Sequence, residues 1–126
     1  DIDFSDVHMD LVEVHKAGND CFDVSAGNYS VGTLIASKCG DKAVSVGEGS
    51  TLEIQYIKIS NAVTGLVAKD SSQLVVESGS INDVPLCFSA YRKKQEFGGA
   101  IIILRDVSCE INEFAIQEGS VLERTL

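Results

Sequence analysis

GNDCFDVSAGNYSVGTLIASKCGDKAVSVGEGS, residues 18–50, contains one phrase twice. CFDVSAGN (21–28) and AVSVGEGS (43–50) each set a polar residue between two apolar ones and then turn on small residues. Val24 aligns with Val46 at a step of 22 (46 − 24), and the same step carries Val46 to Ala68 and Ala68 to Ala90. A second row holds Phe22, Val44, Leu66 and Phe88. A longer step of 26 (114 − 88) extends the two rows to Phe114 and Ile116. The turn recurs as AGN (26–28), EGS (48–50), DSS (70–72) and EGS (118–120), residues that accept tight or left-handed geometry.

After each turn comes a second alternating run. Leu52 and Ile54 map onto Leu74 and Val76, then at a step of 26 onto Ala100 and Ile102. A third run places Ile59, Ile81 and Val107 together. Alternation sends one set of side chains inward and the other outward. A single copy cannot bury its apolar face, but stacked copies can, like over like at about 4.8 Å. The expected fold is therefore all-β: a right-handed, single-stranded parallel β-helix of about five rungs, roughly 22 residues and three short strands each. No window keeps the i, i+3, i+4 spacing of a helix. The Leu and Asn framework of a leucine-rich repeat is missing, and a β-sandwich gives no in-phase echo.

Residues 1–126 read as one domain, a piece of a longer protein, with 1–20 as an irregular N-terminal rung or cap. YRKKQEFGG (91–99) is a basic loop inserted into an acidic chain. The C-terminal stretch EFAIQEGSVLERTL opens another rung with no cap. Its uncovered edge predicts either continuation in a parent chain or weak end-to-end self-association.

The net charge of −9 disfavours nucleic acid and anionic lipid as partners. No apolar run approaches the roughly 20 residues that span a bilayer. The four cysteines are expected to be free. Cys21 and Cys87 share a row three rungs apart, Cys39 and Cys109 lie near corresponding corners about three rungs apart, and three rungs is about 14 Å against the roughly 7 Å Cα limit of a disulfide. His8 and His15 are read as surface residues. They have no third ligand at metal spacing, no Ser–His–Asp set follows from spacing, and no metal or cofactor is expected.

NDCFDV and GDKAVSVGE resemble the parallel β-helix, pectin-lyase-like superfamily, and within it polygalacturonases. That family carries a paired Asp before Cys, then Gly-His-Gly, then Arg-Ile-Lys. Asn19-Asp20-Cys21 matches the first motif with one Asp replaced, Lys42 falls at the His, and GLVAKD (65–70) keeps Lys69 with Val67 at the Arg. The resemblance implies a polysaccharide partner and a secreted or cell-surface location. It also makes Asp20 and Asp23 the candidate catalytic carboxyls. Inverting hydrolysis needs an acid and a base about 6.5–9.5 Å apart. The outward rows give a candidate ligand face of Asp23, Lys69, Tyr91, Arg92 and Lys93, where aromatic rings and bidentate cations suit sugars. With the chemical residues of the motifs replaced and few rungs present, the expected function is a non-catalytic module, structural or polysaccharide-contacting. The alternative is a polysaccharide hydrolase, lyase or epimerase using Asp20 and Asp23.

Overall fold

A computed structural model describes residues 2–125. The chain forms β1 (Ile2–Asp3), β2 (Asp6–Ala17), β3 (Phe22–Ser25), β4 (Asn28–Cys39), β5 (Lys42–Gly47) and β6 (Thr51–Ser60). It continues with β7 (Thr64–Lys69), β8 (Gln73–Asn82), β9 (Leu86–Tyr91), β10 (Ile101–Cys109), β11 (Phe114–Ile116) and β12 (Val121–Arg124). All described pairings are parallel, in two six-stranded sheets: β1-β3-β5-β7-β9-β11 and β2-β4-β6-β8-β10-β12. The molecule is a parallel β-solenoid of about six coils. Each long strand bends where its pairing skips one residue, at Asp10, Gly32, Gln55, Glu77 and Arg105. Each of these coils therefore has three straight runs, the second and third continuous through the bend.

The two apolar rows stack as the repeat predicts. Phe22 pairs with Val44, Val44 with Leu66, Leu66 with Phe88 and Phe88 with Phe114. The neighbouring row runs Ile2, Val24, Val46, Ala68, Ala90 and Ile116. Val44, Leu66 and Phe88 are completely buried. Phe114, in the last described coil, is 54 % exposed. The corner after the first run of the first four coils is made by a left-handed residue: Phe4, Ala26, Glu48 and Asp70 have φ between 51° and 55°.

The structure corrects three expectations. Residues 1–20 are not irregular where described: β1 and β2 form a regular first coil, with Val7, Met9, Val12 and Val14 pairing with Tyr29, Val31, Leu34 and Ala36 at the 22-residue step. There are accordingly about six coils, not five. Leu74 and Val76 pair with Ile102 and Leu104, a step of 28 (102 − 74), not with Ala100 and Ile102, and Val107 pairs with Gly79 instead of Ile81. The loop takes six extra residues, and the corner after β10 is two shorter, which restores the step of 26 in the first sheet.

The cysteines are the third correction. Cys21 bonds Cys39 (Cα–Cα 5.4 Å) and Cys87 bonds Cys109 (Cα–Cα 6.4 Å). Comparison within a row looked along the stack. The bonds instead close across one coil, where the chain returns to the corner it left 18 or 22 residues earlier.

The C-terminal stretch forms the opening of a further coil, as β11 and β12. Arg124 follows Val76 and Leu104 in the inward row, so a charged side chain stands at a core position. Its guanidinium lies 5.2 Å from the centroid of the Phe88 ring and donates to the Val107 carbonyl (3.0 Å) and to Asn112 Oδ1. It lies against the Phe88 ring and satisfies the Val107 carbonyl.

The basic insertion is pinned down. Asp70 is 1 % exposed, and its Oδ1 accepts the backbone N–H groups of Lys93 (2.7 Å) and Lys94 (2.8 Å). Ser71 closes the other end, accepting the Gly98 N–H (2.7 Å) while donating its own N–H to the Gly98 carbonyl (3.1 Å). Lys94 reaches back across two coils to Glu48. Asp70→Asn keeps a residue that tolerates the left-handed turn but removes the charge that grips both amides. Trypsin is expected to nick the native variant after Arg92–Lys94 much faster than the parent chain. Equal rates would show that Asp70 does not hold the loop.

Candidate functional site

The outer face of β3, β5, β7 and β9 carries Asp23, Lys69 and Tyr91 of the residues singled out from sequence, whereas Asp20, Arg92 and Lys93 lie outside these strands. Asp23 occupies the outward row beside Ser45, Val67 and Ser89. This row is less open than alternation implies: Ser45 is completely buried, Val67 is 1 % exposed, and the Ser45 hydroxyl has no hydrogen-bond partner. Long neighbouring side chains lie along this face. The aliphatic part of Lys69 runs over Gly47, with Lys69 Cε 3.2 Å from where a Cβ would stand. Any side chain larger than hydrogen at Gly47 would displace Lys69.

Asp20 and Asp23 come close enough to influence each other, but they do different work. Asp20 Oδ1 accepts the Lys42 backbone N–H (3.1 Å) and lies 3.6 Å from Lys42 Nζ, which also bonds Asp41 (2.7 Å). Burial alone would lower the Lys42 ammonium, but the hydrogen bond to Asp41 and the Asp20 charge outweigh it and hold it above its ordinary value. Asp20 is thus committed to a structural ion pair. Among the described residues Asp23 has no such partner. Burial raises its carboxyl above the ordinary value, and the Asp20 charge raises it further, against smaller opposing effects of Lys69 and Lys42.

That shift has a defined sign. A carboxyl held above its unfolded value favours folding while protonated, and the contribution is lost as pH rises through the folded value. Asp23→Asn removes the penalty. Its stability relative to the parent chain, measured by urea unfolding, is expected to improve from acid toward neutral pH. A gain independent of pH would mean that Asp23 is not desolvated.

Asp23 and Lys69 share a cleft of ≈ 250 Å³ with Asp3, Phe4, Ser25, Gly47 and Glu48. Phe4 is 81 % exposed at this cleft, and Ser25 donates to Asp3 Oδ1 (2.6 Å). Sequence reading passed over Phe4 and Asp3 because they belong to the first coil. The signal was present: Asp3 and Phe4 precede Ser25 and Ala26 by 22 residues.

The other candidates are spread out. Tyr91 pairs with Lys69 on the neighbouring strand and is half-buried, and this desolvation raises its hydroxyl above the ordinary value. Arg92 is exposed in a separate cleft with Gly99, Gln117, Glu118 and Gly119. Lys93 is exposed on the pinned loop. The structure therefore joins Asp23 to Lys69 and sets Tyr91 alongside, while Arg92 opens elsewhere.

Two hydrogen-bonded chains lie on the second sheet. His8 contacts Ser30 Oγ (2.6 Å) and Asp10 (2.9 Å), and His15 contacts Ser37 Oγ and Glu13 (2.8 Å). Each has the composition of a serine relay. Both serines stand on β4, which is paired on both sides, by β2 and β6. A wider groove of ≈ 370 Å³ beside His8 runs over the Asp6–Asn28–Thr51 side-chain ladder. Its single tyrosine, Tyr29, is buried, with its hydroxyl on the Ser25 carbonyl (2.9 Å). Among the described residues no three His, Cys, Asp or Glu side chains form a metal-binding group, and no helix is long and apolar enough to cross a membrane.

The fold defines the class, a parallel β-solenoid stapled by two disulfides. No family model, no curated protein and no solved structure matches the chain.

Proposed function

We propose that the protein is a non-catalytic solenoid module, part of a secreted or cell-surface protein, that contacts polysaccharide through the outer face of β3, β5, β7 and β9. The observation that carries this reading is the cleft that places an exposed aromatic ring, Phe4, beside the polar pair Asp23 and Lys69. Aromatic faces and fixed polar groups are the combination that holds a sugar ring and its hydroxyls. The resemblance to the pectin-lyase-like superfamily points the same way. The two disulfides support an oxidising compartment.

The charge narrows the ligand. Among the described residues, three carboxylates, Asp3, Asp23 and Glu48, line the cleft against one ammonium, Lys69. This balance favours a neutral, hydroxyl-bearing polysaccharide over a uronate. One observation favours the second reading, an enzyme using Asp20 and Asp23: the raised Asp23 carboxyl is suited to donate a proton. Against it, Asp20 is occupied by Lys42 and is not free to act as base.

The test is titration with neutral and acidic polysaccharides, reading binding and new reducing ends together. Binding to a neutral polysaccharide without new reducing ends is expected. Asp23→Ala should weaken it by roughly tenfold or more, the scale of one hydrogen bond to a charged group. Binding to none of the panel would overturn the proposal. New reducing ends that vanish in Asp23→Asn would replace it with the enzyme.

A further inference from the structure

Asn28-Tyr29-Ser30 has the form Asn-x-Ser, the acceptor signature for an N-linked oligosaccharide. None of the other four asparagines, Asn19, Asn61, Asn82 and Asn112, stands two residues before a serine or threonine. A three-residue signature recurs by chance, and it is the surroundings of Asn28 that give this one meaning.

Alternation along the start of β4 sorts the three residues. Tyr29 points inward and is buried, with its hydroxyl on the Ser25 carbonyl (2.9 Å). Asn28 is exposed and Ser30 half-buried, both on the outer face. A chain modified at Asn28 can therefore fold with the sugar in solvent, whereas a slip of one residue would drive it into the core. Asn28 lies in the second coil and pairs with Asp6 on one side and Thr51 on the other. Its exposure belongs to a face of the stack and not to an end.

The side chain is also aimed. Asn28 Nδ2 donates to Asp6 Oδ1 (3.2 Å), and Asn28 Oδ1 accepts from Thr51 Oγ1 (2.8 Å). A sugar on Nδ2 replaces one of its two protons and leaves the other, so both bonds survive the modification. Beside Asn28 runs the groove of ≈ 370 Å³, where His8, Ser30, Glu53 and Gln73 offer donors and acceptors to sugar hydroxyls.

We propose that Asn28 carries an N-linked oligosaccharide acquired in the secretory pathway. The donor is an oligosaccharide borne on a polyprenyl pyrophosphate. Asn28 Nδ2 attacks C1 of its first sugar, the C1–N bond forms, the C1–O bond breaks, pyrophosphate leaves on the lipid, and Nδ2 gives up one proton. The proposal rests on the secreted location argued above, which the two disulfides support, and not on polysaccharide binding. β3 ends at Ser25 and β4 begins at Asn28, so the acceptor stands past the corner from Asp23 and Lys69.

The whole chain, routed through the secretory pathway of a eukaryotic cell, tests this. It is expected to emerge glycosylated, and peptide-N-glycosidase should remove the sugar and convert Asn28 to aspartate, located by tandem mass spectrometry. Asn28→Gln and Ser30→Ala should each abolish the sugar, and Ser30→Thr should keep it. Ser30→Ala retains Asn28 with its bonds to Asp6 and Thr51, so its loss of the sugar is not a loss of the ladder. Alkylation of the unfolded, unreduced product separates the site from the location. With no cysteine labelled, an unmodified Asn28 overturns the glycan and leaves the secreted location standing. Labelled cysteines contradict the proposal in either case: without the sugar the location falls, and with it the fold does not accept the sugar. A sugar that persists in Ser30→Ala, or that sits on another residue, also overturns it.

Discussion

Removing both disulfides is expected to lower the stability of the chain by about 6 kcal/mol, the largest effect foreseen. The bonds close stretches of 18 and 22 residues. Loop-closure entropy gives about 3 kcal/mol for each at these lengths. The two stretches do not overlap, since one ends at Cys39 and the other begins at Cys87, so their contributions are expected to add. A four-Cys-to-Ala variant measured by chemical unfolding beside the oxidised parent tests the sum. Alkylation of the unfolded, unreduced parent should label no cysteine. Four labelled thiols would restore the sequence-based expectation and remove the basis of this prediction.

Leu66→Ala is expected to cost about 2–5 kcal/mol, the transfer loss plus the cavity left behind. Leu66 is completely buried, with Val44 and Phe88 as its register partners in the coils before and after. A solenoid resists collapse at such a site, because the backbone on either side is fixed by the parallel ladder. A loss below about 1 kcal/mol, a size usual for surface substitutions and not for core cavities, would contradict the stacking of this row.

The fold was legible because the rows around Val44 and Leu66 repeat at a constant 22 residues, with the same small turn after each. Where the step changed, sequence reading slipped. Ala100 took the place of Ile102 because the alignment allotted the loop four extra residues, whereas the second sheet passes six and recovers two at a later corner. The first coil was missed for another reason. Its inward residues Val7, Met9, Val12 and Val14 change parity at the bend, which hides a regular strand from a search for simple alternation. The disulfides escaped because a row comparison measures distance along the stack. Closeness around a coil depends on where each corner falls.

The site was partly legible. Asp23 and Lys69 lie in adjoining columns of the outer face and share a cleft. Arg92 did not join them, because the grip of Asp70 on the Lys93 and Lys94 amides fixes the loop's path. The burial of Ser45 and Val67 was not legible, since outward alternation says nothing about what neighbouring side chains cover. Phe4, which supplies the aromatic surface of the cleft, depended on recognising the first coil.

All of these features rest on one claim, that the coils stack like over like in parallel register. Nuclear Overhauser contacts between methyl groups test it most directly. The account predicts contacts from Leu52 to Leu74 and from Leu74 to Ile102, together with Val44 to Leu66. Contacts from Leu74 to Ala100 in place of Ile102, or backbone contacts of antiparallel type between β5 and β7, would contradict it.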